Sequence, residues 1–550
     1  MTNAKSIFTY KINPDYKKRV AYFSMEFAIH QPLKIYSGGL GFLAGSHMRS
    51  AFELKQNLIG VGMLWKYGYY DQSRNSDGSL GVVWRQKMYN FLENTGIKVH
   101  VKIYGREIFV KAYLLKPDTF QSAPILLLST DVEENDHWAR SLTDKLYDND
   151  KVIRLAQQMI LGIGGAKVLE QLGYDTEIYH MNEAHPLPLA FYLLTKYHTL
   201  DEVKKRLVFT THTPEDAGNE RSEIETIEQI GFLNNLPTEP IKHILLDDKG
   251  VFNHTLVALR MSKIANAVSK IHGKVSNEMW VGHDDICPII AITNAQNKKY
   301  WADETLDKAA KANDIDALIA RKKEMKKAFL EYVADQTGKI LDPDALTIVW
   351  ARRFAGYKRA NLLMKDMEKF IALANNKERP IQVIWAGKPY PLDHEAIRVF
   401  NEIFYNTRNI HNCTILHGYE LKLSKMMKQG SDIWLNNPRF SREASGTSGM
   451  TAAMNGSVNF SIRDGWVDEF AEHGVNSFVI PHADTNLDTN TQDNLDSYYM
   501  YQVLEKEIIP TYYDNPKKWY KIVTTAMKQV VPEFESGRMA DEYYKKVYNK

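Results

Sequence analysis

The sequence predicts an α/β protein of two doubly wound, mainly parallel-sheet domains, and three observations lead there. Its 550 residues exceed the roughly 250 to 300 at which a single hydrophobic core stops growing. Short β-rich runs alternate with helical patterns, which is the mark of βα units feeding a parallel sheet. That rhythm runs twice, with a charged, helix-favouring stretch over residues 298–335 between the two passes.

In the first pass the strand candidates are residues 19–27, 177–181 and 206–211; in the second they are 345–351, 381–386, 413–417, 432–435 and 477–480. Helical patterns such as 151–172 and 419–428 lie between them. The expected organisation is a first domain over 1–297, a second over 298–520, and a helical tail over 521–550 that packs back on the first. Polar residues follow each strand: Glu26, then Asn182 to His185, His212, Arg352 with Arg353, Lys388, and Asn436 with Asn437. Ligands of open parallel sheets bind beyond the carboxyl ends of the strands, so these residues are expected to face one cleft.

Composition excludes several functions. Lys and Arg total 69 against 67 for Asp and Glu, which gives no general field for nucleic acid or an anionic membrane. Cys287 and Cys413 stand far apart and outside any CxxC pattern, so neither a disulfide framework nor a structural zinc site is expected, and no metal-ligand spacing such as HExxH appears. The amino terminus is polar and no run approaches the roughly 18 to 20 apolar residues that cross a bilayer. The expected location is the cytoplasm.

Four segments carry candidate chemistry. The glycine-rich turn from Tyr36 to Gly45, with Gly38, Gly39 and Gly41, offers backbone N–H groups to a phosphate or oxyanion, although the same glycines suit tight packing. Arg352, Arg353, Lys358 and Arg359 cluster just past a strand, where guanidinium and ammonium groups suit phosphate oxygens. The turn Glu443-Ala-Ser-Gly-Thr-Ser-Gly-Met450 crowds a carboxylate, hydroxyls and glycines, with Glu443 and Ser445 able to bond sugar hydroxyls. His212, before Thr213 and Pro214, is placed to meet a reacting sugar through its ring or its carbonyl.

Taken together, the segments Tyr22 to Phe27, Tyr36 to Gly45, Asn182 to His185, Thr211 to Pro214, Ile292 to Asn294, Arg353 with Tyr357 to Arg359, Ala386 to Lys388 and Asn436 to Gly456 resemble the glycogen and starch phosphorylases, especially their short bacterial form. The resemblance implies a GT-B fold of two Rossmann-like domains with an interdomain active site, and retaining transfer of glucosyl units between an α-1,4-glucan and phosphate. It implies that Glu443, Ser445, Gly446, His212 and Asn294 hold the glucosyl unit, and that Arg353 and Lys358 bind phosphate with help from Gly39 and Thr447. Gly38, Gly41, Arg352, Ser448, Gly449 and Thr451 complete the expected phosphate and cofactor surface. A homodimer is the family's common state.

Among the departures from the resemblance, at Phe42, Glu215, Asp216, Ala295 and Thr451, the last matters most. Where the family carries the lysine that forms an imine with pyridoxal 5'-phosphate, this chain has Thr451, and a hydroxyl forms no imine. Three expectations stay open: pyridoxal phosphate bound without the usual covalent link, a nucleotide-sugar donor in place of glucan and phosphate, or a silent glucan-binding homologue. The partners expected are accordingly an α-glucan or maltodextrin with phosphate, sugar phosphate or a nucleotide-sugar.

Overall fold

The computed structural model describes residues 7–283 and 285–550, and the chain divides into two compact units. The first takes in the residues up to Tyr69, Trp84–Asn294 and Ser536–Lys550; the second takes Tyr70–Val83 and Ala295–Glu535.

In unit 1 the sheet strands are β1 (Val20–Phe23), β2 (Leu58–Met63), β3 (Glu93–Ile103), β4 (Arg106–Leu115), β5 (Ile125–Ser129), β6 (Ile178–Asn182), β7 (Leu207–Thr210), β8 (Ile264–Ala267) and β9 (Ile289–Ala291). Among the described residues they lie in the order β9-β8-β7-β6-β1-β2-β5-β4-β3. All neighbours are parallel except the edge, where β4 runs antiparallel to both β5 and β3. The central strands are buried along their whole length, as continuous apolar runs in parallel sheets must be. On β3, Ile97, Val99, Val101 and Ile103 point inward while Lys98, His100 and Lys102 face out, which fits an edge with one wet face. The order reverses at β1, whose neighbours are β2 and β6.

The helical stretch Lys151–Leu172 belongs to this unit and corrects an expectation. It is long and apolar enough to cross a membrane by length and composition, yet 78% of its most apolar window is buried inside the protein. A π turn at Ile160–Gly164 interrupts it. It is a core helix.

Unit 2 holds a parallel sheet of β10 (Leu346–Ala351), β11 (Ile381–Ala386), β12 (Cys413–Leu416), β13 (Ile433–Asn436), β14 (Val458–Ile462) and β15 (Ser477–Ile480). Among the described residues its order is β12-β11-β10-β13-β14-β15, the 3-2-1-4-5-6 order of doubly wound nucleotide-binding sheets. The reversal point lies between β10 and β13. The charged stretch expected to be helical forms Lys298–Trp301, Glu304–Ala312 and Ile315–Thr337.

The expected domain bounds shift. The change at 297 falls at 294, and the tail 521–550 is not one element. The helix Pro516–Phe534 stays with unit 2 because Trp519, Ile522, Val523 and Met527 are part of that unit's core. Only the residues from Ser536 join unit 1, where Ser536 Oγ meets Ser50 Oγ at 2.6 Å and Gln56 Nε2 donates to the Ala540 carbonyl at 3.0 Å. Conversely Tyr70–Val83 leaves the first expected domain. Its hairpin docks on unit 2, Gln72 Nε2 donating to the Gly387 carbonyl at 2.7 Å while Gln72 Oε1 accepts from Gly418 N at 2.9 Å.

Buried charge fixes the base of the unit 2 sheet. Lys326 Nζ lies 2.7 Å from Asp432 Oδ2, which also accepts from Thr347 N at 2.9 Å. Both side chains are nearly excluded from solvent. Removing one member of such a pair strands the other charge in a low-dielectric interior, at a cost of roughly 3 to 5 kcal/mol. Asp432→Ala should lower the free energy of unfolding of unit 2 by about that amount in denaturant titrations; a loss under about 1 kcal/mol would show that Lys326 finds other support.

Candidate active site

Each unit carries a polar cluster at the reversal point of its own sheet. In unit 1 the end of β1 continues into Ser24 and Glu26. Glu26 is buried, and its Oε2 accepts from Ser37 N at 2.6 Å and Gly38 N at 3.1 Å, while Oε1 accepts from Tyr147 Oη at 2.7 Å. Burial raises its pKa against the lowering effect of those donors. The glycine turn is thus partly satisfied by the protein's own carboxylate. Gly41 has no side chain because a Cβ there would stand 2.7 Å from Glu26 Oε2 and 2.8 Å from Tyr36 Cβ. Gly38 and Gly39 face open space and begin the helix Gly39–Glu53, whose first N–H groups have no acceptor within the helix.

The ends of β6 and β7 complete this cluster. Asn182 Nδ2 donates to Ser24 Oγ at 3.1 Å, and Asn182 Oδ1 pairs with His212 Nε2 at 2.7 Å. Glu183 takes a left-handed backbone, φ 64°, uncommon for a side chain this large and the sort of strain that gathers at functional loops. Its carboxylate accepts from His212 N and from Thr213 Oγ1. Burial, with His272 and His185 nearby, holds the His212 ring down to about 3, so that ring is neutral and spends Nε2–H on Asn182. A neutral ring held in this way is a fixed dipole rather than a proton shuttle. Asn294 is buried in the same unit with Oδ1 lacking a partner.

In unit 2 Arg352 leaves the end of β10 and turns inward. Nη1 donates to Asn436 Oδ1 and Nη2 to the Leu435 carbonyl at 2.6 Å, so the guanidinium ties β10 to β13 across the reversal point. Burial lowers its pKa to about 10. Arg352 was expected on the phosphate surface, but two of its three nitrogens are committed to the sheet. Arg353, by contrast, is exposed. Lys358 Nζ lies 2.7 Å from Glu443 Oε2, with 12% and 9% of the two side chains exposed. Glu443 N in turn donates to Asp464 Oδ2 at 3.0 Å.

The turn after Glu443 is compact. Ser445 Oγ is buried without a partner, and the Ser445 carbonyl accepts from Trp466 N at 3.0 Å. Gly446, Thr447 and Ser448 are half-buried, and Ser448 Oγ accepts from Trp434 Nε1 at 3.3 Å. Gly449 is required by packing, since a Cβ would come within 2.3 Å of Asn459 Oδ1. Thr451 is 1% exposed and its hydroxyl donates to the Ser448 carbonyl at 3.0 Å. Among the described residues no group of three His, Cys, Asp or Glu side chains is placed to hold a metal ion.

A family model described as carbohydrate phosphorylase matches residues 291–492. The chain is 33% identical to the maltodextrin phosphorylase of Thermococcus litoralis, over 98% of this chain and 71% of that protein. It is 32% identical to the glycogen phosphorylase of Aquifex aeolicus, over 98% and 87% respectively. The chain belongs to the carbohydrate phosphorylase family. An uncharacterized protein of Methanocaldococcus jannaschii is 48% identical over 96% of this chain and all of that protein.

Members of the phosphorylase family typically use pyridoxal phosphate, and the residues of unit 2 fit that group at its phosphate end. The Lys358 ammonium supplies charge, and Thr447 and Ser448 bring half-buried hydroxyls. At the aldehyde end residue 451 offers no amine. Lys425 donates to the Tyr300 carbonyl at 2.7 Å, and Lys388 donates to the Tyr70 carbonyl at 2.9 Å and pairs with Glu420. Sequence reasoning missed a different lysine, Lys428, which is 1% exposed with Nζ 3.9 Å from the Trp301 ring centre. The signal was available: Leu421, Ser424 and Lys428 follow helical spacing on the buried face of Leu421–Gly430. Asp464, whose pKa burial pushes up to about 7, was missed because nothing local marks it.

Glu183 has a pKa pushed up to about 7 by burial, from an ordinary 4.5. Between those values the folded protein holds a proton that the unfolded chain has lost. The contribution to stability is therefore complete below 4.5 and is lost as pH rises to about 7. Glu183→Gln keeps the acceptor oxygen for His212 and Thr213 and removes the titration. Its unfolding free energy should decline less than that of the natural protein between about pH 5 and about pH 8, by up to about 3 kcal/mol; parallel pH profiles would rule the assignment out.

Proposed function

We propose that this protein is a retaining glycosyltransferase of GT-B type that phosphorolyses α-1,4-glucans, passing glucosyl units between the glucan and phosphate. The observation that carries the proposal is the Lys358–Glu443 pair at 2.7 Å, set beside the unpartnered Ser445 hydroxyl at the reversal point of a doubly wound sheet. A cation and a carboxylate that neutralise one another at rest can exchange partners when ligand arrives. The ammonium then takes phosphate oxygens, and the carboxylate takes sugar hydroxyls.

Glucosyl transfer with retention passes through an oxocarbenium-like state, in which positive charge grows on the sugar and negative charge on the phosphate. Lys358, once it leaves Glu443, and Arg353 would hold the phosphate where that negative charge develops. Glu443 and Ser445 would orient the glucosyl ring. His212, neutral and held by Asn182, would present its carbonyl to the sugar, with Asn294 adding a side-chain acceptor. Thr447 and Ser448 are the residues that would hold pyridoxal phosphate, with Lys358 shared between its phosphate and the substrate phosphate and Gly39 offering an N–H group to the latter. When bound, the cofactor supplies a phosphate group that acts beside the substrate phosphate. The Glu443 N–H bond to Asp464 keeps the carboxylate-bearing turn in place during the exchange.

Purified protein with pyridoxal phosphate should release glucose 1-phosphate from maltodextrin and inorganic phosphate. Lys358→Met and Glu443→Gln should each lower kcat by roughly 100 to 1,000-fold, the usual effect of deleting one preorganised electrostatic group. Absence of glucose 1-phosphate, or variants with undiminished turnover, would refute the proposal.

A further inference from the structure

We propose that Lys428 is the amine through which this protein anchors pyridoxal phosphate, from a different helix than the one that carries residue 451. The inference rests on the reading above only in requiring that the chain binds this cofactor. Lys428 lies in the last turn of the helix Leu421–Gly430, and its Nζ stands 3.9 Å from the ring centre of Trp301 and 5.8 Å from that of Trp434.

Two chains of contacts lead from those tryptophan residues to Thr451, one from the Trp434 indole and one from the Trp301 carbonyl. Trp434 Nε1 donates to Ser448 Oγ at 3.3 Å, and the Thr451 hydroxyl donates to the carbonyl of the same Ser448 at 3.0 Å. On the other side Asn455 Nδ2 donates to the Trp301 carbonyl at 3.0 Å and to the Thr451 carbonyl at 2.8 Å. Lys428 and Thr451 are both buried and are linked through two residues in common, Trp301 and Trp434. The turn that follows Glu443 borders it.

The chemistry of the site suits an amine that reacts. Burial lowers the pKa of Lys428 well below its ordinary 10.5, and the Arg352 guanidinium adds to the effect. Desolvation beside another cation is the established way to free a lysine lone pair for attack on a carbonyl. The indole faces favour the charged form, so they hold the side chain in place without cancelling the larger effect of burial. In the proposed step Nζ adds to the aldehyde carbon of the cofactor. The carbonyl oxygen then takes both amine protons and leaves as water, and a C=N bond replaces C=O.

The full chain, incubated with pyridoxal phosphate, is reduced with borohydride and mapped by peptide mass spectrometry. The expected result is a pyridoxyl label on Lys428 and a visible absorbance band before reduction, both lost in Lys428→Met and in Lys428→Arg. The arginine variant keeps a cation against Trp301, so it separates amine chemistry from packing, and thermal melts check that each variant is folded. A label on another lysine, cofactor retained through gel filtration with nothing trapped, or no cofactor bound at all would each overturn the proposal. Should both variants fail to fold, the label position in the natural protein decides. Glucose 1-phosphate release is scored on the same samples: product without a label at Lys428 sinks the anchor alone, and a label without product sinks the proposed function alone.

Discussion

The bond network of Arg352 is the constraint on which unit 2 turns. Two parallel strands diverge at a reversal point because their following helices cover opposite faces, and the gap leaves peptide carbonyls without partners. The guanidinium fills that gap, bonding Asn436 and the Leu435 carbonyl from the end of β10. A buried cation is costly unless its donors are used; Nη1 and Nη2 each make a bond, and Nε is left without one. The loop beyond is then free to carry its next basic residues outward, which is how Arg353 comes to be exposed and Lys358 to reach Glu443.

The same economy of charge recurs in unit 1 with the sign reversed. Glu26 sits buried beneath the glycine turn and satisfies Ser37 and Gly38 from below. A carboxylate placed there shapes the turn when no ligand is bound, and it also biases the local potential against anions. Gly38 and Gly39 lie on the open side of the turn, with Glu26 behind it. The position of Gly41, closed by Glu26 and Tyr36, shows that a glycine run can serve packing and ligand approach within four residues.

Much of the parallel framework was legible in the sequence. Strands such as β11 and β15 coincide with the expected runs at 381–386 and 477–480, because fully buried parallel strands are short apolar runs with clear ends. The edge hairpin β3–β4 was not anticipated, although its alternation of buried Ile and Val with exposed Lys is the ordinary period-two signal. Candidate site residues were readable where a strand end or a glycine turn announced them, as at Glu443 and His212. Lys428 and Asp464 were not, since a buried ionisable side chain on a helix or after a strand takes its meaning from neighbours distant in sequence. The split of the tail at Ser536 was equally hidden, because amphipathic helices reveal that they have a buried face but not which core receives it.

The hairpin of residues 70–83 gives the molecule a property of its own. With that segment docked on unit 2 and the last helices returned to unit 1, the polypeptide passes from one unit to the other at 69/70, 83/84, 294/295 and 535/536. Neither unit corresponds to one uninterrupted stretch of gene. A single crossover or truncation cannot transplant either sheet with its whole core.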